Sequence, residues 1–142
     1  MHRQFIWSWL AVLSTPSLAM AKGNRDFSTT CTRIELSRFT LGAQCFATMT
    51  DHTFINHLDL NLCIGLDQTT AELQWSIYGK FSNYCAACTL ETGLNRLTCI
   101  CSSLSGRVRG VTTTINLDEG IGNDNGVLTC MGGIASAEEV IG

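Results

Sequence analysis

The chain contains one sequence pattern twice, and this repeat constrains the fold more than any other feature. Residues 27–31 (Phe-Ser-Thr-Thr-Cys) recur 54 positions later, from 27 to 81, as Phe-Ser-Asn-Tyr-Cys. Residues 58–61 (Leu-Asp-Leu-Asn) recur 57 positions later, from 58 to 115, as Ile-Asn-Leu-Asp. The anchors keep their order and nearly their spacing, which is typical of an internal repeat. Each copy is short for an independent core, so we predict one domain built from two similar units.

The first residues have the features of a secretory signal peptide. The chain begins with a basic segment, Met-His-Arg-Gln, which is followed by an apolar run over residues 5–13. Small residues at Ala19 and Ala21 then match an A-x-A cleavage site. The apolar run is too short to span a bilayer. The alternatives to a signal peptide are an N-terminal core helix or a membrane anchor. We expect cleavage after Ala21, with residues 1–21 removed, and a secreted, extracellular protein without membrane insertion.

The mature chain divides into the two repeats and a C-terminal extension. Repeat one covers about residues 26–76 and repeat two about residues 80–130, within a domain of residues 22–130. Residues 131–142 are rich in Gly, Ala and Glu and show no strand pattern. Chain termini of this composition are often poorly ordered, so we predict a flexible tail over residues 131–142.

All eight cysteines lie beyond residue 21. An even number of cysteines behind a signal peptide indicates disulfides, because the export route is oxidising. The alternative is a four-thiolate zinc site formed by the four cysteines between residues 85 and 101. Repeat one has no such cluster and no histidines at ligand spacing, so we predict disulfides and no metal site.

The repeat indicates part of the disulfide pairing. Cysteines lie 14 residues apart in both copies, from 31 to 45 and from 85 to 99, which predicts Cys31–Cys45 and Cys85–Cys99. For the remaining cysteines we favour Cys63–Cys130 and Cys88–Cys101. A nested arrangement would suit a plain antiparallel hairpin better and stays open. That alternative pairs Cys85 with Cys101 and Cys88 with Cys99.

The secondary-structure signals are those of strands. Leu97, Cys99 and Cys101 alternate with other residues at a period of two, and residues 111–115 form a β-branched run. The dipeptide Asn125-Gly126 predicts a type I′ hairpin turn, which requires positive φ at both central residues. No helical period is sustained beyond a single turn. The sequence therefore predicts an all-β protein.

These motifs together resemble the cyanovirin-N homology family over about residues 26–130. The shared features are the two Phe-Ser-x-x-Cys motifs, the Ile-Asn-Leu-Asp block and the Asn-x-Asn-Gly-x-Leu turn. The extra cysteines and the phrases Cys-Ile-Gly and Gly-x-Phe-Ser are similar to its secreted fungal members. The resemblance implies two pseudo-symmetric lobes, each a three-stranded sheet plus a β-hairpin exchanged from the other repeat. It also implies a lectin for mannose-rich oligosaccharides or glycoproteins, without enzymatic activity, cofactor or metal.

The resemblance further implies one carbohydrate site in each lobe. The main site lies where the start of repeat one meets the terminal hairpin of repeat two, with Phe46 and Ala47 as its floor. Its expected contact residues are Asp26, Ser28, Thr29, Thr30, Thr48, Asn123, Asp124 and Asn125. The second site would use Gly65, Asp67, Lys80, Asn83, Tyr84, Ser102 and Ser103. Its turn at residues 66–71 is longer and lacks Asn-Gly, so we expect the main site to dominate.

Other classes of function find little support in the sequence. The formal net charge is −3 and the basic residues are scattered, so a nucleic-acid partner is not expected. His52 and His57 have no partnered nucleophile, and Asp118 and Glu119 are adjacent, so on a strand they would point to opposite faces. Catalytic residues are therefore not predicted. The alternative to a lectin is a disulfide-stapled secreted protein of the same fold that has lost sugar binding and acts through protein–protein contacts.

Overall fold

The structure is a computed structural model that describes residues 23–91 and 93–141. In these ranges the chain forms twelve β-strands and four short 3-10 turns. The predicted all-β class is therefore confirmed. The predicted signal peptide lies outside the described residues. Within the described ranges, no helix has the length and apolar character needed to cross a membrane.

Repeat one forms a three-stranded antiparallel sheet followed by a hairpin. Alternate residues of the central strand, from Leu41 to Ala47, are buried, so one face of the sheet is apolar. The sheet strands are β1 (Cys31–Ser37), β2 (Thr40–Ala47) and β3 (His52–Asp59), and the hairpin strands are β4 (Ile64–Asp67) and β5 (Glu72–Trp75).

Repeat two has the same order of elements and continues into two further strands. Its sheet strands are β6 (Cys85–Glu91), β7 (Arg96–Cys101) and β8 (Val111–Asn116), and its hairpin strands are β9 (Gly122–Asp124) and β10 (Val127–Cys130). The C-terminal strands are β11 (Gly133–Ile134) and β12 (Ser136–Glu139). The 3-10 turns occupy equivalent places in the two repeats, at Phe27–Thr29, Leu60–Leu62, Phe81–Asn83 and Leu117–Glu119.

The hairpins are exchanged between the repeats, as the family resemblance implies. Strand β10 lies against β2 and β3, whereas β5 lies against β8. We therefore define lobe A as β1–β3 with β9–β10, and lobe B as β6–β8 with β4–β5. Leu128 of β10 and Leu73 of β5 are both buried in a core cluster that includes residues of both repeats. The exchange covers the apolar face of each sheet with the hairpin of the other repeat.

A buried polar side chain attaches each exchanged hairpin to its sheet. In lobe A, Asn56 Oδ1 accepts a hydrogen bond from the Leu128 backbone N–H at 2.8 Å, and Asn56 Nδ2 donates to the Gly126 carbonyl at 2.8 Å. In lobe B, Thr113 Oγ1 accepts from the Leu73 N–H at 3.0 Å. Asn56 and Thr113 are equivalent positions, 57 residues apart (56 to 113), and both are buried. The repeat thus places a hydrogen-bonding group at the same point in both lobes.

Two of the four predicted disulfides are confirmed and two are wrong. Cys31–Cys45 and Cys63–Cys130 are present as predicted. Repeat two instead has the nested pairs Cys85–Cys101 and Cys88–Cys99, in place of Cys85–Cys99 and Cys88–Cys101. No free cysteine remains in the described residues, so no thiolate is available there for zinc.

The error in the pairing comes from a difference in one hairpin loop. Between β1 and β2, two residues separate the paired Ser37 and Thr40, whereas four separate Glu91 and Arg96 between β6 and β7. The two extra residues move the counterpart of Cys45 from position 99 to position 101. The equal spacing of 14 residues therefore does not mark equivalent cysteines.

The predicted flexible tail over residues 131–142 is wrong for β11 and β12. Strand β11 pairs with β10, and β12 pairs antiparallel with β3, with Ser136 opposite His57 and Glu139 opposite Phe54. His52 Nδ1 lies 2.6 Å from Glu139 Oε1 across this pairing. Strand β12 is attached to the edge of β3 by hydrogen bonds between backbone groups, which do not depend on the side chains. Its small and acidic side chains are mostly exposed, so the sequence shows no alternation of apolar and polar residues there.

Candidate functional site

The turn between β9 and β10 has the predicted type I′ character. Asn125 has φ of 48° and Gly126 has φ of 98°, so both central residues have positive φ. A Cβ atom on Gly126 would come within 2.6 Å of the Phe54 ring, so glycine is required there for packing as well. The exchange places this turn of repeat two beside the start of repeat one.

Asn123 joins three segments of lobe A through its side chain. Its Nδ2 donates to Thr30 Oγ1 at 2.8 Å and to the Phe46 carbonyl at 3.0 Å, and its Oδ1 accepts from the Gly126 N–H at 2.7 Å. These bonds hold the exchanged turn against the start of β1 and the end of β2. Asn123 therefore positions the site rather than offering free groups to a ligand.

Asn125 fixes the loop that follows β2. Its Oδ1 accepts a hydrogen bond from the Met49 N–H at 3.0 Å. Thr48, another predicted contact residue, lies in the same loop and is exposed. The Phe46 N–H donates to the Thr30 carbonyl at 3.0 Å, which joins β2 to the start of repeat one. Most predicted main-site residues are thus brought together, although Asn123 and Asn125 are engaged within the protein.

The resulting groove has a volume of about 290 Å³ and is lined by polar residues. The Asp26 carboxylate is 64% exposed and lies 3.8 Å from the Arg25 guanidinium, which is similarly exposed. Thr29 Oγ1 donates to the Asp26 carbonyl, and Thr30 Oγ1 accepts from Asn123. A carboxylate, two hydroxyls and a guanidinium supply both acceptors and donors for a hydroxyl-rich ligand. We name this cavity the lobe A groove, lined by Arg25, Asp26, Thr29, Thr30 and Asn123.

An adjoining cavity of about 580 Å³ shares Asn123 with the lobe A groove as a lining residue, and Asp124 also lines it. The Asp124 side chain is exposed, at the last residue of β9. Asn24 also lines this cavity, where its Oδ1 accepts a hydrogen bond from the Thr129 hydroxyl at 3.0 Å. Neither Asn24 nor Arg25 is among the predicted residues; their position just before Asp26 is the only signal in the sequence.

Ser28 does not take part in the groove. Its backbone N–H donates to Asp118 Oδ1 at 2.9 Å, and its hydroxyl also donates to the Asp118 carboxylate. The same arrangement exists in lobe B, where the Ser82 N–H donates to Asn61 Oδ1 at 3.0 Å. The serine of the Phe-Ser motif therefore secures the junction between the repeats, which explains its presence in both copies. Ala47, predicted as part of the floor, is fully buried.

The equivalent region of lobe B lacks the central amide. Leu66 occupies the position of Asn123 and is buried, and Gly65 is in backbone contact with Gly79. Ser103 is also buried, and its hydroxyl lies 3.2 Å from the Ser105 hydroxyl. These features remove Gly65 and Ser103 from the accessible surface.

The other predicted residues of lobe B are mostly exposed or already hydrogen-bonded. Asp67 Oδ1 accepts from the Thr69 N–H at 2.8 Å, and Ser102 Oγ accepts from the Gly110 N–H at 3.0 Å. Lys80 and Asn83 are exposed and Tyr84 is half-buried. Gln68 Oε1 accepts from the Leu104 N–H at 2.7 Å and joins the turn of the lobe B hairpin to the loop after β7. In the described part of lobe B, however, no side chain bonds to three segments as Asn123 does.

Comparison with known proteins identifies the family. A model of the CVNH (cyanovirin-N homology) domain matches residues 27–129, and the chain belongs to this family. The structure is similar to GzCVNH from Gibberella zeae, at 27% identity and a TM-score of 0.62 over 74% of this chain and 96% of that one. It is also similar to TbCVNH from T. borchii, at 28% identity and a TM-score of 0.60 over 75% and 99% of the two chains.

Microvirin, solved as a complex with mannobiose, is a third similar structure. It is 29% identical, with a TM-score of 0.61 over 75% of this chain and 98% of that one. A comparison with curated protein sequences gives no match. The family and the exchanged all-β fold are thus established together.

Proposed function

We propose that the protein is a lectin that binds mannose-type oligosaccharide in the lobe A groove. The observation that carries this proposal is the hydrogen bonding of Asn123, which fixes the groove around Asp26, Thr29 and Thr30. The mannobiose complex of microvirin, a similar structure in the same fold, supports the class of ligand. In this proposal the sugar hydroxyls are recognised by hydrogen bonds from these side chains, without a metal or cofactor.

The groove has the chemistry that neighbouring sugar hydroxyls need. The Asp26 carboxylate accepts hydrogen bonds from two hydroxyls, while Arg25 and the Thr30 hydroxyl donate to ring or hydroxyl oxygens. The Thr29 hydroxyl already donates to the Asp26 carbonyl, so it accepts from a sugar hydroxyl. Hydrogen bonds to a charged group are stronger than neutral ones. Since the groove is already held in place, little ordering entropy is lost when the sugar binds.

Removing the two open carboxylates of lobe A is expected to weaken binding strongly. Asp26 has φ of 62°, a conformation that asparagine tolerates, so Asp26→Asn keeps the backbone and removes the charge. Combined with Asp124→Asn, this should lower the affinity for mannobiose about tenfold to a hundredfold. Isothermal titration calorimetry measures the change.

The matched control changes the equivalent positions of lobe B, Lys80→Asn with Asp67→Asn. These substitutions should alter the affinity by less than about threefold, a difference within about 1 kcal/mol. If the lobe B pair lowers the affinity more than the lobe A pair does, the main site lies in lobe B and the proposal is wrong. Absence of binding in the unmodified protein would instead favour a CVNH protein that acts through protein contacts.

We further propose that the protein is secreted after removal of residues 1–21. The four disulfides support this proposal, because such bonds persist in oxidising compartments. N-terminal sequencing of protein exported by a eukaryotic host should begin at Lys22. Retention of Met1 in the exported protein, or retention of the protein inside the cell, would contradict it.

A further inference from the structure

A separate cavity of about 620 Å³ lies where the ends of β5 and β10 meet. Trp75, Ile77 and Met131 form its apolar part, next to the Cys63–Cys130 disulfide. Ile77 is 56% exposed and Met131 is 71% exposed, so these two side chains contribute little to the core. We name this cavity the Trp75 cavity.

The Trp75 ring is fixed by the backbone beneath it. A Cβ atom on Gly120 would come within 2.5 Å of the indole carbons, so the ring packs directly against this glycine. Trp75 is nevertheless only half-buried and lines the cavity.

The polar residues of the Trp75 cavity include Asn24, Ser76 and Glu119. Glu119 is exposed, and Asn24 is held by its hydrogen bond from Thr129. An aromatic surface edged by an amide, a hydroxyl and a carboxylate differs from a purely apolar docking surface. It matches a ligand that has an apolar face and a polar rim.

Shared lining residues link the Trp75 cavity to the lobe A groove by way of the adjoining cavity. Asn24 lines both the Trp75 cavity and the adjoining cavity that contains Asp124. Asn123 lines both that adjoining cavity and the lobe A groove. Each cavity therefore shares a lining residue with the next, and we call the three together the cavity series.

We propose that the Trp75 cavity is an outer subsite for a further sugar ring of the oligosaccharide bound in the lobe A groove. This inference rests on the proposed lectin function. One face of a pyranose ring consists largely of C–H groups, which are attracted to the negative face of an indole ring. Glu119 and Asn24 then hydrogen-bond the hydroxyls at the edge of the sugar. The subsite makes the protein select longer chains over disaccharides.

Tryptophan fluorescence tests this subsite directly. The chain has three tryptophans, at positions 7, 9 and 75, so Trp75 is the only tryptophan in the protein that begins at Lys22. Mannobiose and a linear mannotetraose are titrated in parallel, by fluorescence and by calorimetry. We expect both to bind, but only the tetraose to change the Trp75 emission and to gain about three- to tenfold in affinity from the aromatic contact.

Two exposed positions test the subsite without altering the core. Ile77→Ser with Met131→Ser removes the apolar side chains beside the Trp75 ring, so it should lower the affinity for the tetraose towards that for mannobiose and leave mannobiose binding unchanged. Leu104→Ser is the matched control, because Leu104 is 79% exposed and lies outside the cavity series.

The outcomes separate the subsite from the groove. Calorimetric binding of both sugars at equal affinity, with no change in Trp75 emission, would overturn the subsite and leave the groove intact. If neither mannobiose nor the tetraose binds, the subsite and the lobe A groove are both overturned. An equal loss of mannobiose and tetraose affinity in the Ile77/Met131 variant would also contradict a subsite that acts only on longer chains.

Discussion

Expressed as separate chains, residues 22–76 and 77–142 are each expected to remain unfolded in isolation. Each half contains a three-stranded sheet together with a hairpin that packs on the other half's sheet. Separation exposes fully buried residues such as Leu41 in one half and Leu128 in the other. A domain this small has only a marginal surplus of stability, so neither half can lose this burial and stay folded.

Denaturant titration of the isolated halves, together with the dispersion of their NMR chemical shifts, measures this effect. Each half alone should show no cooperative transition, whereas mixing the two under oxidising conditions should restore one. The mixture is the control for damage caused by the cut itself. Cooperative melting of either half alone would contradict a fold in which the hairpins are exchanged.

Asn56→Ala is expected to destabilise the intact protein by about 2–6 kcal/mol. The substitution leaves the Leu128 N–H and the Gly126 carbonyl buried without their partners. Each unsatisfied buried group costs about 1–3 kcal/mol, which gives this range for two groups. Equilibrium unfolding in urea measures the loss of stability as a lower midpoint concentration, with the dependence of the unfolding free energy on urea unchanged.

Thr113→Val is the matched variant in lobe B. Valine preserves the branched shape and removes only the acceptor for the Leu73 N–H. One unsatisfied group should cost about 1–3 kcal/mol, less than the Asn56 substitution. No loss of stability from either variant would show that these side chains do not attach the exchanged hairpins.

The features that the sequence predicted are those carried by local chemistry or by repetition. Asn125-Gly126 predicted its turn because few other residues adopt positive φ twice in succession. The family motifs predicted the exchange, and with it the meeting of Asp26 and Thr30 with a turn nearly a hundred residues away. Together these features were sufficient to locate most of the groove.

The features that were missed depend on contacts between distant segments. Asn56 is an ordinary polar residue in its strand, and only the packed hairpin shows that its amide is buried. Ser28 matched a motif, yet its hydroxyl is taken by Asp118 across the repeat junction. The paired cysteines of repeat two were displaced by an insertion of two residues whose position the spacing alone could not reveal.

We propose that lobe A, and not lobe B, binds the sugar. The most direct measurement is an NMR titration of the isotope-labelled protein with mannobiose, in which each backbone amide reports on its own surroundings. We predict that the shifting amides are those of residues 24–30, 46–49 and 123–126, while residues 80–84 and 102–110 do not move. Shifts centred on residues 80–84 and 102–110 would contradict this assignment, and the absence of any shift would contradict mannose binding.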